Sequence, residues 1–462
     1  MSVAESPPAA APVATSPAYA RRIGLFSGTM MVIGGIVGSG IFLNPAIVAQ
    51  RVGTAPLTMA AWALGALVAL LGAFIFAELG ARHPSAGGGY VYLRDAFGRL
   101  PAFLYGWALL LAIATGAMAA VAVTFASYAA PLLGLPPGGQ TPLAIGAIAL
   151  LTLVNVLGVR PGTITQNVFT ILKLVAIAVL IVAGLTRPAL PEATACAAGL
   201  ACAELVAPSG VMGLALALGT ALVPVLFAYG GWQQTNFVAE EMVTPERNLP
   251  RALVVGVLVV GVVYLGVNLT YLQTLGVAGL AASRAPAADA MAMHFGPAGR
   301  ALIAAGIAIS TFGFLNLVIL VTPRVYQAMA RDGLFFRRFA ELHPRFRTPV
   351  AAIVVQGAWA IALVLSGTYG QLLDYVTFAD WIFFGATACT LVVYRRRDGA
   401  HARAGYRAPL YPVSVALFVL AAVYVVAGAV VSNPVNAVRG TVLLAAGVPV
   451  YAYWRRRASS GG

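Results

Sequence analysis

The chain has 462 residues, 60% of them apolar and 9% charged. Soluble proteins run at roughly 45–50% apolar and ~25% charged, so a soluble globule is excluded. The 28 basic and 14 acidic residues sit in clusters between long uncharged runs, and the net charge is +14. The arginines mark the ends of apolar runs instead of forming one stripe, which argues for membrane orientation signals and against a nucleic-acid partner.

The first 20 residues, MSVAESPPAAAPVATSPAYA, lack a basic start and an apolar run, and read as a disordered cytoplasmic tail instead of a signal peptide. Six apolar segments follow at 23–50, 55–81, 100–132, 141–159, 163–186 and 209–243. Six more lie at 251–276, 298–331, 349–366, 372–394, 408–431 and 437–454. Each is long enough for a membrane helix of ~20 residues, which predicts an all-α integral membrane protein with twelve transmembrane helices. With the amino terminus inside, cytoplasmic loops and helix ends hold 22 Arg. The other side holds five: Arg51, Arg187, Arg284, Arg300 and Arg439. The positive-inside rule then puts both termini in the cytoplasm. Three cysteines are too few for a disulfide framework. Cys196 and Cys202 share one outer loop and are close enough in sequence to pair, whereas Cys389 lies in an apolar run and reads as packing.

Segments one and six depart from the pattern in matching ways. The first contains Gly34, Gly35, Gly38 and Gly40 in its middle; the sixth has Pro224 followed by Gly230 and Gly231. As straight helices of 28 and 35 residues they would reach about 42 and 52 Å, beyond a ~30 Å hydrocarbon core. Both are predicted to bend or unwind. They lie five spans apart, which reverses direction across the membrane and suggests an inverted repeat of five plus five helices. The chain then divides into a first repeat at 21–186, an outer loop at 187–208 and a second repeat at 209–397. Helices eleven and twelve follow at 398–455, then a cytoplasmic tail at 456–462. Paired Gly-interrupted spans point to a transporter site; the competing reading is close helix packing by small residues.

Unwinding inside a bilayer leaves N–H and C=O groups without partners, and a small zwitterion can satisfy them. The half-helix after Gly38, Ser39 and Gly40 aims N–H groups at a carboxylate. Carbonyls near Ile36 and near Phe227 or Ala228 can take an ammonium group. The breaks hold no Asp or Glu, so a neutral substrate is favoured over a cationic amino acid or polyamine. Phe227, Tyr229 and Trp232 crowd the second break, with Phe227 and Trp232 as candidate gates or as ordinary packing. Lys173, the one lysine in the chain, lies about 15 Å into the fifth segment and needs polar partners inside the bundle. It reads either as a fixed cation tying the fifth helix to the broken first, or as a proton carrier. Ser310, Thr311 and Asn316 are polar groups able to face it. Asp380 is the best carboxylate for proton coupling, with a structural hydrogen bond as the alternative. Glu78 is expected to pair with Arg82, and Glu240 and Glu241 with Arg247 and Arg251. No Walker A sequence, H-E-x-x-H or C-x-x-C is present, and the histidines are scattered. No enzyme, cofactor or metal site is expected, and the tails are too short for the signalling domain of a non-transporting sensor.

The motifs GIVGSGIF at 35–42, FAELGARHPSAGGGYVYLRDAFG at 76–98 and FTILKLVAIAVLI at 169–181 stand in order with FAYGGWQQTNFVAEEM, PERNLPRA and ARDGLFFRRFAELHPRFRTPV. In this, from about residue 20 to 455, the chain resembles the amino acid–polyamine–organocation transporters, and within them bacterial relatives of the L-type amino acid transporters. The resemblance implies the leucine-transporter fold, alternating access, and substrate at the broken first and sixth helices. It implies that Lys173 stands where sodium-coupled cousins hold a sodium ion, hence sodium independence. It also puts the aromatic gate on Phe227, the carboxylate-binding turn on Ser39, Gly40 and Ile41, and a re-entrant loop on PSAGGGYVY. The loop PLLGLPPGGQTP lacks the cysteine through which animal L-type chains join a heavy chain, so a free-standing carrier in a bacterial inner membrane is expected. The leading expectation is sodium-independent exchange or facilitated diffusion of neutral L-amino acids. Proton symport through Lys173 and Asp380 is the alternative.

Overall fold

The computed structural model describes residues 19–136, 138–186, 205, 207–367, 369–398, 405–432 and 434–460. The tail expected at 1–18 and the Cys196–Cys202 pair lie outside them. Helix occupies every one of the twelve apolar segments, and among the described residues the one β feature is an isolated bridge between Ile23 and Met242. The first segment is broken: α1 (Leu25–Ile36) and α2 (Gly40–Val52) meet at 44°. Then come α3 (Ala55–Arg82), the short α4 (Gly89–Phe97), α5 (Arg99–Leu132) with a π turn at Leu109–Ile113, α6 (Gln140–Val156) and α7 (Val159–Leu185). The helix α8 (Gly210–Ala228) gives way to a 3-10 stretch, Trp232–Glu241. It is followed by α9 (Pro245–Ala282), α10 (Pro286–Val321), α11 (Pro323–Arg331), α12 (Val350–Ser366), α13 (Tyr369–Asp398), α14 (Val413–Ser432) and α15 (Pro434–Ser460). Among the described residues, eight runs are long and apolar enough to cross a membrane singly, nine with the bent α1–α2 pair; α6 and α12 are apolar but shorter.

Glycine marks where apolar spans end and helix continues. A positive φ at Gly276 bends α9 at the last residue of its apolar segment, and Gly296 bends α10 just before residue 298, where the next apolar segment starts. Helix therefore extends beyond the apolar span at both places. Both helices begin with proline in the first turn, whose fixed φ suits that position.

The helix α7 shows how a bilayer sorts side chains. Gln166, Thr170 and Lys173, spaced by four and three, form one buried face, while Val168, Ile171, Leu172, Val175 and Val182 are exposed. That is the arrangement an apolar solvent demands: polar groups inside the bundle, aliphatic ones outside. The buried polar groups form a chain of hydrogen bonds across four helices. Asn155 Nδ2 donates to Asn316 Oδ1 at 3.0 Å, Asn316 Nδ2 to Gln166 Oε1 at 3.1 Å, and Gln166 Nε2 to Thr170 Oγ1 at 3.2 Å. Thr170 Oγ1 donates onward to the Met30 carbonyl at 3.2 Å. This chain pins α6, α10 and α7 against α1, one turn from Lys173.

Charge pairs gather at the arginine-rich end of the bundle. Glu78, fully buried, accepts from Arg82 at 2.8 Å, from Arg395 at 2.5 Å and from the Ala408 N–H at 2.7 Å. The expected Arg82 partner is present, and Arg395 of α13 joins it. Asp332 binds Arg94 at 2.8 Å and the Tyr90 hydroxyl at 2.7 Å, docking α4. Glu241 does not pair with Arg247 or Arg251 as the sequence suggests. It is buried on Arg324 at 2.6 and 3.1 Å, and Glu240 lies 3.7 Å from Arg331. The residues following Glu241 turn away into α9, whereas α11 passes directly beside it.

Glu78→Gln leaves two arginines facing a neutral amide at a dry site. Removing one member of a buried pair costs about 3 to 5 kcal/mol, so this variant is expected to melt at a clearly lower temperature in detergent than the parent protein. Exposed Arg396→Gln serves as the control, with a negligible change.

Candidate functional site

The break in the first span runs over Val37, Gly38 and Ser39. Its glycines divide into two kinds. A Cβ on Gly34 would lie 2.0 Å from Gln166 Nε2, and one on Gly35 would lie 2.8 Å from the Gly231 carbonyl, so these two are contact glycines. Around Gly38, by contrast, the nearest atom to such a Cβ is Phe314 at 3.8 Å, so it borders open space. The packing and unwinding readings of this glycine run therefore each hold for part of it.

The second break falls at Tyr229–Gly231. Pro224 lacks an N–H and so frees the Thr220 carbonyl, which accepts from Arg51 Nη1. Asn44 Nδ2 donates to the Pro224 carbonyl at 2.8 Å, fastening α2 to α8. Gly231 adopts φ +105°, and a Cβ there would lie 2.1 Å from the Gly35 carbonyl. The two breaks thus touch backbone to backbone, which only glycine at both positions permits.

Three side chains complete the junction. Lys173 Nζ donates to the Val37 carbonyl at 2.7 Å and the Gly34 carbonyl at 3.2 Å. Ser310 Oγ lies 3.1 Å from the same Val37 oxygen and 3.3 Å from that of Gly38. The Tyr264 hydroxyl of α9 sits 3.0 Å from the Ile36 carbonyl and 3.2 Å from the Ala228 carbonyl, spanning the ends of both half-helices. Nothing in the sequence singles out Tyr264. A tyrosine in an apolar helix carries no local mark of its role, and its partners are 228 and 36 residues away.

A cavity of about 160 Å³ opens against these breaks, lined by Ile36, Gly38, Ser39, Gly40, Phe227, Ala228 and Gly230. Asp380 of α13 joins them, with Tyr105, Gln234, Phe314 and Trp381. Other expected site residues stand back from it. Ile41 is buried in α2 and is not part of the lining, and Lys173 and Ser310 act on the far side of the break. The Thr311 hydroxyl bonds its own helix at Ile307 and Ala308, so it is not a partner of Lys173. Asn316 serves Gly162 and Gln166 instead. Trp232, expected as a second gate, is absent from the lining; it is buried edge-on against Phe76 at 4.9 Å, beside Phe418. Phe227 does line the cavity, and the residue is 43% exposed.

One end of the assembly is latched. The Arg22 and Ile23 N–H groups donate to the Glu241 carbonyl at 2.8 and 3.0 Å, and the Val243 N–H donates to the Ile23 carbonyl at 2.9 Å. Arg324, held by Glu241, lies over the Tyr19 ring at 5.7 Å. The segment before α1 is thereby fixed to the end of the 3-10 stretch that follows the second break.

Two broken helices back to back, with backbone groups turned toward a small cavity in an apolar bundle, define a membrane carrier of small solutes. The family model described as amino acid permease matches residues 23–451. The chain belongs to that family, within the amino acid–polyamine–organocation superfamily, and is a membrane amino acid transporter. It is 32% identical to the serine/threonine exchanger SteT of Bacillus subtilis over 443 residues, covering 95% of this chain and 98% of that one. It is 31% identical to the mouse large neutral amino acids transporter small subunit 2 over 452 residues, 95% and 82% of the two chains. The rabbit b(0,+)-type amino acid transporter 1 is 33% identical over 381 residues, 81% and 76% of the two.

Gly231→Ala forces the two breaks apart and is expected to abolish amino acid exchange in proteoliposomes. Gly38→Ala, with free space around it, is expected to insert normally and to weaken exchange by narrowing the cavity. Tyr264→Phe removes the hydroxyl that spans the breaks. Since a net hydrogen bond is worth about 0.5 to 1.5 kcal/mol of stability, the melting temperature should fall modestly, and exchange should fall several-fold.

Proposed function

We propose that this transporter moves neutral L-amino acids without sodium, by exchange or facilitated diffusion through alternating access. The substrate carboxylate docks on the N–H groups that open α2 at Ser39, Gly40 and Ile41, which have no intrahelical acceptors. The ammonium group is taken by carbonyls at the ends of α1 and α8, sharing them with the Tyr264 hydroxyl; each carbonyl oxygen has a second lone pair to give. Phe227 closes over the bound solute. The first ten helical segments then form two inverted repeats of five, 21–186 and 209–397, with helices eleven and twelve after them and both termini in the cytoplasm of a bacterial inner membrane. The carrier works without a disulfide-linked heavy chain.

The observation that carries sodium independence is Lys173 Nζ on the Gly34 and Val37 carbonyls. Oxygens exposed by the unwound turn call for a cation, and the chain supplies one covalently. Names among the relatives, a serine/threonine exchanger and a large neutral amino acids transporter subunit, agree with the substrate class.

The test is counterflow of radiolabelled alanine, serine, threonine or leucine in proteoliposomes, with sodium replaced by choline. Exchange is expected to proceed equally in both media and to require internal amino acid. Lys173→Ala should lose it, and added sodium should not restore it. Uptake that depends on sodium, or that ignores internal substrate and follows an imposed pH gradient, would overturn the reading.

A further inference from the structure

We propose that Asp380 reads the substrate's side chain, so that the carrier selects amino acids whose side chain ends in a hydrogen-bond donor. This rests on the reading of the cavity as the amino acid site.

Asp380 is the one acidic residue among those lining the cavity, and no basic residue lines it. None of the ion pairs among the described residues includes it. The residue is half-buried, and its immediate neighbour Trp381 and nearby Phe384 line the same cavity. The ionised form of a carboxyl group against aromatic walls accepts hydrogen bonds only and is costly without a partner, so a donor on the ligand favours it. Tyr105 and Trp381 line the same cavity, yet no hydrogen bond from a described residue reaches Asp380, so a donor can come from the ligand.

The constant part of the substrate does not fill that role. Its carboxylate and ammonium groups are matched by the backbone at the two breaks, on α2 and at the ends of α1 and α8. Asp380 enters from α13, a different wall. Ala114, Ala117 and Ala120 of α5 line the space as well, and their small side chains leave room for a compact polar group. The breaks themselves are free of acid, which favours a neutral substrate, but the fold brings Asp380 to them from a distant part of the chain. A hydroxyl or amide at the end of the side chain satisfies the carboxylate while keeping the substrate neutral.

Threonine and valine are the discriminating pair, equal in shape and different by one hydroxyl. An apolar pocket separates such a pair weakly, whereas a site with an acceptor to satisfy rejects the analogue that lacks the donor. Half-saturation for valine in exchange is expected about 10- to 100-fold above that for threonine, the worth of one hydrogen bond to a charged acceptor. Asp380→Leu should bring the ratio close to one, and Asp380→Asn, which keeps an acceptor, should retain part of it. Thermal unfolding of the purified parent protein gives an independent readout: threonine should stabilise it at concentrations where valine does not.

Equal handling of threonine and valine by the parent protein overturns the proposal, as does an unchanged ratio in Asp380→Leu. Equal loss of both substrates would place Asp380 on the ammonium group and overturn it too. Loss of pH-driven accumulation in Asp380→Asn, with the ratio unaltered, also overturns it. Lysine preferred over threonine, with that preference lost in Asp380→Asn, supports Asp380 as the reader and overturns the neutral-substrate reading instead. If no amino acid exchanges or stabilises the protein, the proposed function falls, and this proposal with it.

Discussion

A helix interrupted inside a bilayer leaves carbonyl oxygens that water cannot reach, and the rest of this structure depends on how those oxygens are satisfied. At Gly34 and Val37 the answer is an ammonium group, Lys173 Nζ, delivered from α7. The lysine and the break solve each other's problem. A buried amine needs acceptors, the unwound turn needs donors, and neither is tolerable in hydrocarbon alone. Ser310 adds a second donor to the same turn from α10. The break is therefore held from behind, which leaves its front, at Gly38 to Gly40, free to meet a solute.

The two breaks behave as one unit because they touch through backbone. Gly35 and Gly231 are in contact, and the Tyr264 hydroxyl lies within reach of the last carbonyl of each half-helix. Displacing α1 must disturb α8 and the 3-10 stretch after it. The latch at Ile23, Met242 and Glu241 joins the same two elements again at the arginine-rich end. The polar chain from Asn155 to Thr170 ties α6, α7 and α10 together and reaches α1 at the Met30 carbonyl.

Much of this is legible in the sequence, for physical reasons. Glycine clusters and a proline in otherwise apolar runs can be seen without coordinates, and both breaks fall where those residues put them. A lone lysine in an apolar helix announces that it needs partners, since an unpaired charge at that depth is costly. Choices made by partners distant in sequence cannot be read in this way. Arg247 and Arg251 are near Glu241 along the chain, yet it pairs with Arg324, 83 residues away. Thr311 is as able as Ser310 to meet Lys173, but it turns to its own helix. Trp232 and Phe227 are both aromatic and both near the break; only packing against Phe76 removes one of them from the cavity. Tyr264 carries no signal at all.

We propose that Lys173, bonded to the unwound turn of α1, couples occupancy of the site to the position of α1. The most direct test measures the distance between spin labels at Phe26 on α1 and Leu157 beside α6, both exposed, in a background without the native cysteines. With Lys173 present, adding amino acid is expected to shift the distance distribution; in Lys173→Ala the distribution should stay the same with and without substrate. A substrate-induced shift of equal size in both proteins would contradict the account.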